Sequence, residues 1–154
     1  MGITYGATAG QDWRLQAGPF TIATAIQTPD TGRGLTEVIK ILDDLSTTEL
    51  TAAELEKSKQ NIIRALPSLF VSNASTAGAY ADLALHGLPD GYYATFADAV
   101  RKVTAKQVKE AARTLIPSSK MTFSLVGDLA KIKADLAKLN LGEMVMHDAY
   151  GTPK

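Results

Sequence analysis

Polar and apolar positions alternate at the start of the chain. Ile3, Tyr5, Ala7 and Ala9 fall on one side of an extended segment that runs loosely to Leu15, and Gln16-Ala17-Gly18-Pro19 then marks a turn. Phe20, Ile22, Thr24 and Ile26 alternate again with Thr21, Ala23, Ala25 and Gln27. Two such runs joined by a short Gly-Pro turn predict an antiparallel hairpin. The period then changes. After Thr28-Pro29-Asp30-Thr31, which offers helix N-caps beside a proline, Leu35, Val38, Ile39, Leu42 and Leu45 recur at helical spacing.

Four more helices follow from the same kind of signal. Thr51-Ala52-Ala53-Glu54 is a capping box, in which a hydroxyl and a carboxylate each satisfy a free N–H of the first turn. It opens a helix through Leu55, Ile62 and Leu66 to Pro67. Phe70, Ala74, Ala77, Ala81 and Leu85 form the next apolar face, made mostly of small residues. Gly87 suits a helix C-terminus and Pro89 forbids continuation. Asp90 is placed to cap a short helix through Tyr93, Phe96, Ala97 and Val100. Thr104-Ala105-Lys106-Gln107 is a second capping box, leading Val108, Ala111, Ala112 and Leu115 to Pro117.

Met121 to Val126 alternates cleanly and predicts a further strand, closed by Gly127-Asp128. Leu129, Ile132, Leu136 and Leu139 predict the last helix; Val145-Met146 suggests a short strand, and His147 to Lys154 reads as a tail. Strand pair, run of helices, strand, helix is an α+β order: an antiparallel sheet with helices packed on one face. The 154 residues are expected to form a single domain.

Composition narrows the partners more than the fold. Hydrophobic residues at 45% and charged residues at 21% suit a folded chain. Lys+Arg and Asp+Glu number 16 each, a balance that argues against nucleic acid or an anionic membrane as the main partner. The stretch from Arg101 to Lys138 is locally basic and reads as solvated helix faces. There is no cysteine, hence no disulfide and no thiolate metal site. No apolar run approaches the ~20 residues of a membrane span.

Self-contained catalytic chemistry is missing. A zinc peptidase helix needs two histidines a turn apart and a nearby Glu, as in H-x-x-E-H. The two histidines here, His86 and His147, do not supply it. His86 stands at a helix end, where its charge suits the dipole, and Gly87 and Pro89 break the helix between it and Asp90. His147-Asp148 reads as a surface pair. No nucleophile elbow, Walker or dinucleotide glycine pattern is present. Gly32-Arg33-Gly34 before a helix is better explained by helix-entry flexibility than as an anion site. Among the aromatics, Trp13, Tyr92 and Tyr93 are candidates for binding, with Tyr93 fitting a core better.

Several stretches together carry a resemblance: Gly2-Ile3-Thr4-Tyr5-Gly6-Ala7, Gly18-Pro19-Phe20 with Gln27-Thr28, Leu50-Thr51-Ala52-Ala53-Glu54-Leu55, Gly87-Leu88-Pro89-Asp90-Gly91-Tyr92-Tyr93, Val103-Thr104-Ala105-Lys106-Gln107-Val108 and Leu125-Val126-Gly127-Asp128. In this order they resemble the C-terminal, non-catalytic domain of the pitrilysin-type zinc metallopeptidases, the family of insulysin and the mitochondrial processing peptidases. The resemblance implies two related α+β domains enclosing a chamber for an unfolded peptide. One domain carries H-x-x-E-H and the zinc. The other lacks the motif and completes the chamber. No cofactor is expected in this chain, and zinc is expected in the partner domain or subunit.

In many members the inactive domain also lends an Arg and a Tyr that contact the substrate carbonyl near the cut, donors aimed at a developing oxyanion. Tyr5 matches that Tyr as an accessory catalytic residue; the Arg would fall before Met1. The abrupt opening into a strand implies a fragment of the inactive domain without its first strand and helix. The sheet edge and the part of the apolar helix face expected to be exposed by that invite self-association, through the edge or through the face that would meet the catalytic domain, and a homodimer is an expected state of the fragment. The alternatives are a structural or substrate-recognition subunit with no catalytic contribution, and a binding module that shares only the fold.

Overall fold

The computed structural model describes residues 2–148 and 150–153. Strand β1 (Thr4–Gln11) pairs antiparallel with β2 (Phe20–Ile26) in a two-stranded sheet. Six α-helices follow: α1 (Thr31–Thr47), α2 (Ala52–Ala65), α3 (Asn73–His86), α4 (Tyr92–Lys102), α5 (Ala105–Leu115) and α6 (Leu129–Ala137). Short 3-10 turns occupy Thr28–Asp30, Leu66–Phe70 and Ser118–Lys120. The class is α+β, as the sequence order requires.

The chain divides into two compact units. The first gathers residues 1–8, 23–40 and 122–154; the second gathers 9–22 and 41–121. In the first unit, Leu35 of α1 packs with Ile132 and Leu136 of α6, and Phe123 and Leu139 close over them. Two glycines of α1 permit close packing, Gly32 against α6 and Gly34 against β2. A β-carbon on Gly32 would lie 3.1 Å from Asp135 Cβ, and one on Gly34 would lie 2.5 Å from Ile26 Cδ1. The Gly-Arg-Gly run is thus packing, and Arg33 is engaged by Asp30 at 3.2 Å.

In the second unit Leu42, Ala79, Leu83 and Ala112 are buried. Here α2 lies against α4, and the Leu66–Phe70 turn meets both α2 and α3. Helix ends are held as their sequences demand. Thr51 and Thr104 each form a complete capping box, with Glu54 and Gln107, and Ser72 and Ser75 make a third at the start of α3. Gly87 ends α3 in the left-handed region (φ 63°), where a side chain would be strained.

The structure corrects several expectations. Residues 121–126 form no strand among the described residues. Their alternation is real, since Met121 and Phe123 are half-buried, but alternation encodes a covered face and not a hydrogen-bonded neighbour. Val145-Met146 forms no strand; the pairing nearby is an isolated bridge between His147 and Pro153. The tail thereby closes on itself, with Asp148 Oδ1 accepting from the N–H groups of Tyr150 and Thr152. Ala149 and Lys154 of that tail lie outside the described residues. Gly91, not Asp90, is the N-cap of α4, and it makes no side-chain capping bond.

Two helix faces also differ. In α3 the expected face of Ala74, Ala77, Ala81 and Leu85 is exposed, and Ala79 and Leu83 point inward. The helix is apolar on most sides, so its pattern could not select a face. Leu115, expected in the stripe of α5, is 75% exposed at the frayed end of that helix.

Candidate functional site

Tyr5 is the second residue of β1, and period-2 geometry sets it on the same face as Ala7 and Ala9. Its relative exposure is 108%, the highest of any large apolar or aromatic side chain among the described residues. The backbone beneath it is well held. Gln27 N–H donates to the Ile3 carbonyl at 3.0 Å, and the Gln27 side-chain amide donates to the Gly2 carbonyl at 3.2 Å. The Thr4 and Thr24 hydroxyls, 3.0 Å apart, both reach the Gly6 carbonyl at 2.9 Å. The Thr4 bond is local and the Thr24 bond crosses between the strands, both from a short hydroxyl side chain to backbone.

Around Tyr5 the hairpin forms an open recess of about 350 Å³, lined by residues 2–5 and 25–27. The lining is mostly apolar and contains no charged side chain. Chemically it offers a phenol O–H donor on a firm strand, beside backbone amides and apolar surface. No general base or nucleophile lines it.

The other candidates separate into structural roles. Tyr93 is half-buried, and its hydroxyl donates to the Ala79 carbonyl at 3.2 Å. Its ring meets Phe70 and Tyr92 edge-on, at 5.3 and 5.4 Å. Burial raises its pKa, and Asp82 adds to the effect. That bond ties α4 to α3, a link the sequence did not reveal because neither partner is marked by spacing. Trp13 is 80% exposed in the loop between the strands, next to Arg14, which pairs with Asp12.

His86 terminates α3, and the His147 ring donates through Nδ1–H to the Gly151 carbonyl at 2.8 Å. Among the described residues no group of three or more His, Cys, Asp or Glu is gathered to hold a metal.

Comparison with known proteins gives a consistent but partial picture. No family model matches the sequence, and no curated protein matches it. Among solved structures, the fold is similar to the crystal structure of a peptidase M16 inactive domain from Pseudomonas fluorescens, with a TM-score of 0.65 and 26% sequence identity over 73% of this chain. The chain spans 27% of the length of that protein. The likeness supports an M16-like inactive domain as the class. Among the described residues, no helix is long and apolar enough to cross a membrane.

Proposed function

We propose that this chain is a non-catalytic domain of a zinc metalloendopeptidase of the pitrilysin type. In this reading it walls one side of a chamber for an unfolded peptide, and the zinc and the general base come from a partner domain or subunit. The observation that carries the proposal is the similarity to an M16 inactive domain over 73% of the chain. The absence of any charged lining beside Tyr5 suits a surface that meets peptide backbone rather than a charged ligand.

Tyr5 is assigned an accessory role: its hydroxyl donates a hydrogen bond to the substrate carbonyl as negative charge develops on oxygen. A donor that strengthens only in the transition state acts on kcat more than on KM. The test is Tyr5→Phe in the assembled peptidase. Turnover should fall by about 10²–10³-fold, the cost typical of removing one oxyanion donor, with KM little changed. Unchanged turnover would remove Tyr5 from the chemistry.

A second reading, a structural or recognition subunit, is favoured by one observation. Among the described residues no hydrogen bond orients the Tyr5 ring, whereas oxyanion donors act best when fixed beforehand. Wild-type kcat in Tyr5→Phe together with raised KM would select this reading.

A further inference from the structure

The hairpin is at odds with its exposure. Strand β1 is exposed at seven of its eight residues. Yet no charged side chain occurs from Gly2 to Gln11 or from Gly18 to Thr28, where a solvated surface ordinarily carries about 25–35% charged residues. The outer edge of β1 pairs with no strand among the described residues. Exposed edges are normally blunted by lysine or proline, and Thr4–Gln11 contains neither. Strand β2 is better covered by its own chain, with Phe20, Ile22 and Ile26 half-buried. An uncharged edge of this kind selects another uncharged strand and gives no hold to nucleic acid or to anionic lipid.

A second copy of β1 supplies that strand with matching shape. We propose that two copies of this chain associate by antiparallel pairing of β1 with β1, about a two-fold axis at Ala7. Side chains opposite one another in a sheet share a face. On one face Tyr5 then stands opposite Ala9 of the second copy, and Ala7 opposite Ala7. On the other, Thr4 stands opposite Gly10 and Gly6 opposite Thr8. Each larger side chain meets a small one. The room is present: a β-carbon built at Gly6 or at Gly10 meets nothing within 4 Å. No like charges are opposed, and a two-fold contact closes on itself without propagating. The product is a four-stranded sheet, and additional strands stabilise a two-stranded hairpin. A Tyr5 seated on Ala9 of the second copy is closed to any other ligand. The inference stands apart from the peptidase reading.

Sedimentation velocity of the 154-residue chain over a range of concentrations tests it, with hydrogen exchange of the β1 amides as a second readout. The wild type should shift from monomer to dimer as concentration rises, with β1 exchange slowing in step. Ala7→Lys sets two ammonium groups against each other at the axis and should raise the dimer Kd by at least about tenfold, with circular dichroism unchanged. Ala7→Thr, neutral and strand-compatible, should keep the dimer. A wild type that stays monomeric, or a dimer that survives Ala7→Lys, overturns the proposal. If Ala7→Lys does not fold, exchange in the wild type decides alone: β1 protection independent of concentration overturns it.

Discussion

The hairpin and the helices of this chain solve the same problem in opposite ways. The helices carry the charge, bury Leu35, Leu42, Leu83, Ile132 and Leu136, and close their ends with three complete capping boxes. Their stability is internal. The paired strands carry no charge, which in the hairpin is confined to Asp12 and Arg14 of the loop; they leave most of β1 exposed and draw their local bonds from threonine hydroxyls and the side-chain amides of Gln11 and Gln27. The surface of β1, unlike that of β2, is largely left outside the core. An exposed strand free of charge differs in kind from the capped, charged helices, and the proposed roles of Tyr5 and of the β1 edge both rest on that difference.

Substitutions can break this contrast. The largest effect is expected at the cores. Leu83, 2% exposed, and Leu136, 7% exposed, should each cost about 2–5 kcal/mol when changed to Ala, read as a lowered urea midpoint at constant m-value. Helix ends come next: Thr51→Ala or Thr104→Ala should cost about 1 kcal/mol each, and Gly87→Ala a similar amount because its φ is positive.

Acid should act at the same place. Hydrogen bonds from the Thr51 hydroxyl and N–H lower the Glu54 pKa below the ordinary carboxylate value. A depressed carboxylate pKa stabilises above the unfolded value and is lost as pH falls through the folded one. The first turn of α2 should therefore loosen in acid, below the normal Glu range, and exchange at the Glu54 amide reports it. The smallest effect is expected in the hairpin loop. Trp13→Ala should change stability by less than about 0.5 kcal/mol, and emission from this single tryptophan should be that of a solvated indole. A blue-shifted Trp13, or a Trp13→Ala cost as large as that of Leu83→Ala, would erase the contrast.

How much was legible from the residues follows from how local each signal is. Capping boxes at Thr51 and Thr104 and the glycine stop at Gly87 need only a few neighbours, and all three stand as written in the sequence. The stripe of α1 was legible because polar residues flank it. The face of α3 was not, since apolar side chains surround that helix and only tertiary packing picks Ala79 and Leu83. The strand at Met121–Val126 failed for a different reason: period 2 reports a covered face, whereas pairing depends on a distant segment. Tyr5 carries no signal by spacing or charge. It entered through resemblance alone, and what the structure adds is its position on an exposed strand beside an uncharged recess.

The central claim is that this chain completes a peptidase whose metal and base lie elsewhere. Its most direct test is peptide hydrolysis, with zinc content measured in parallel, for the chain alone and for the chain mixed with the H-x-x-E-H domain of the same peptidase. The account predicts no turnover and no stoichiometric zinc for the chain alone, and turnover in the mixture well above that of the zinc-bearing domain by itself. One tightly held zinc per chain, or a mixture no more active than the zinc-bearing domain alone, would contradict it.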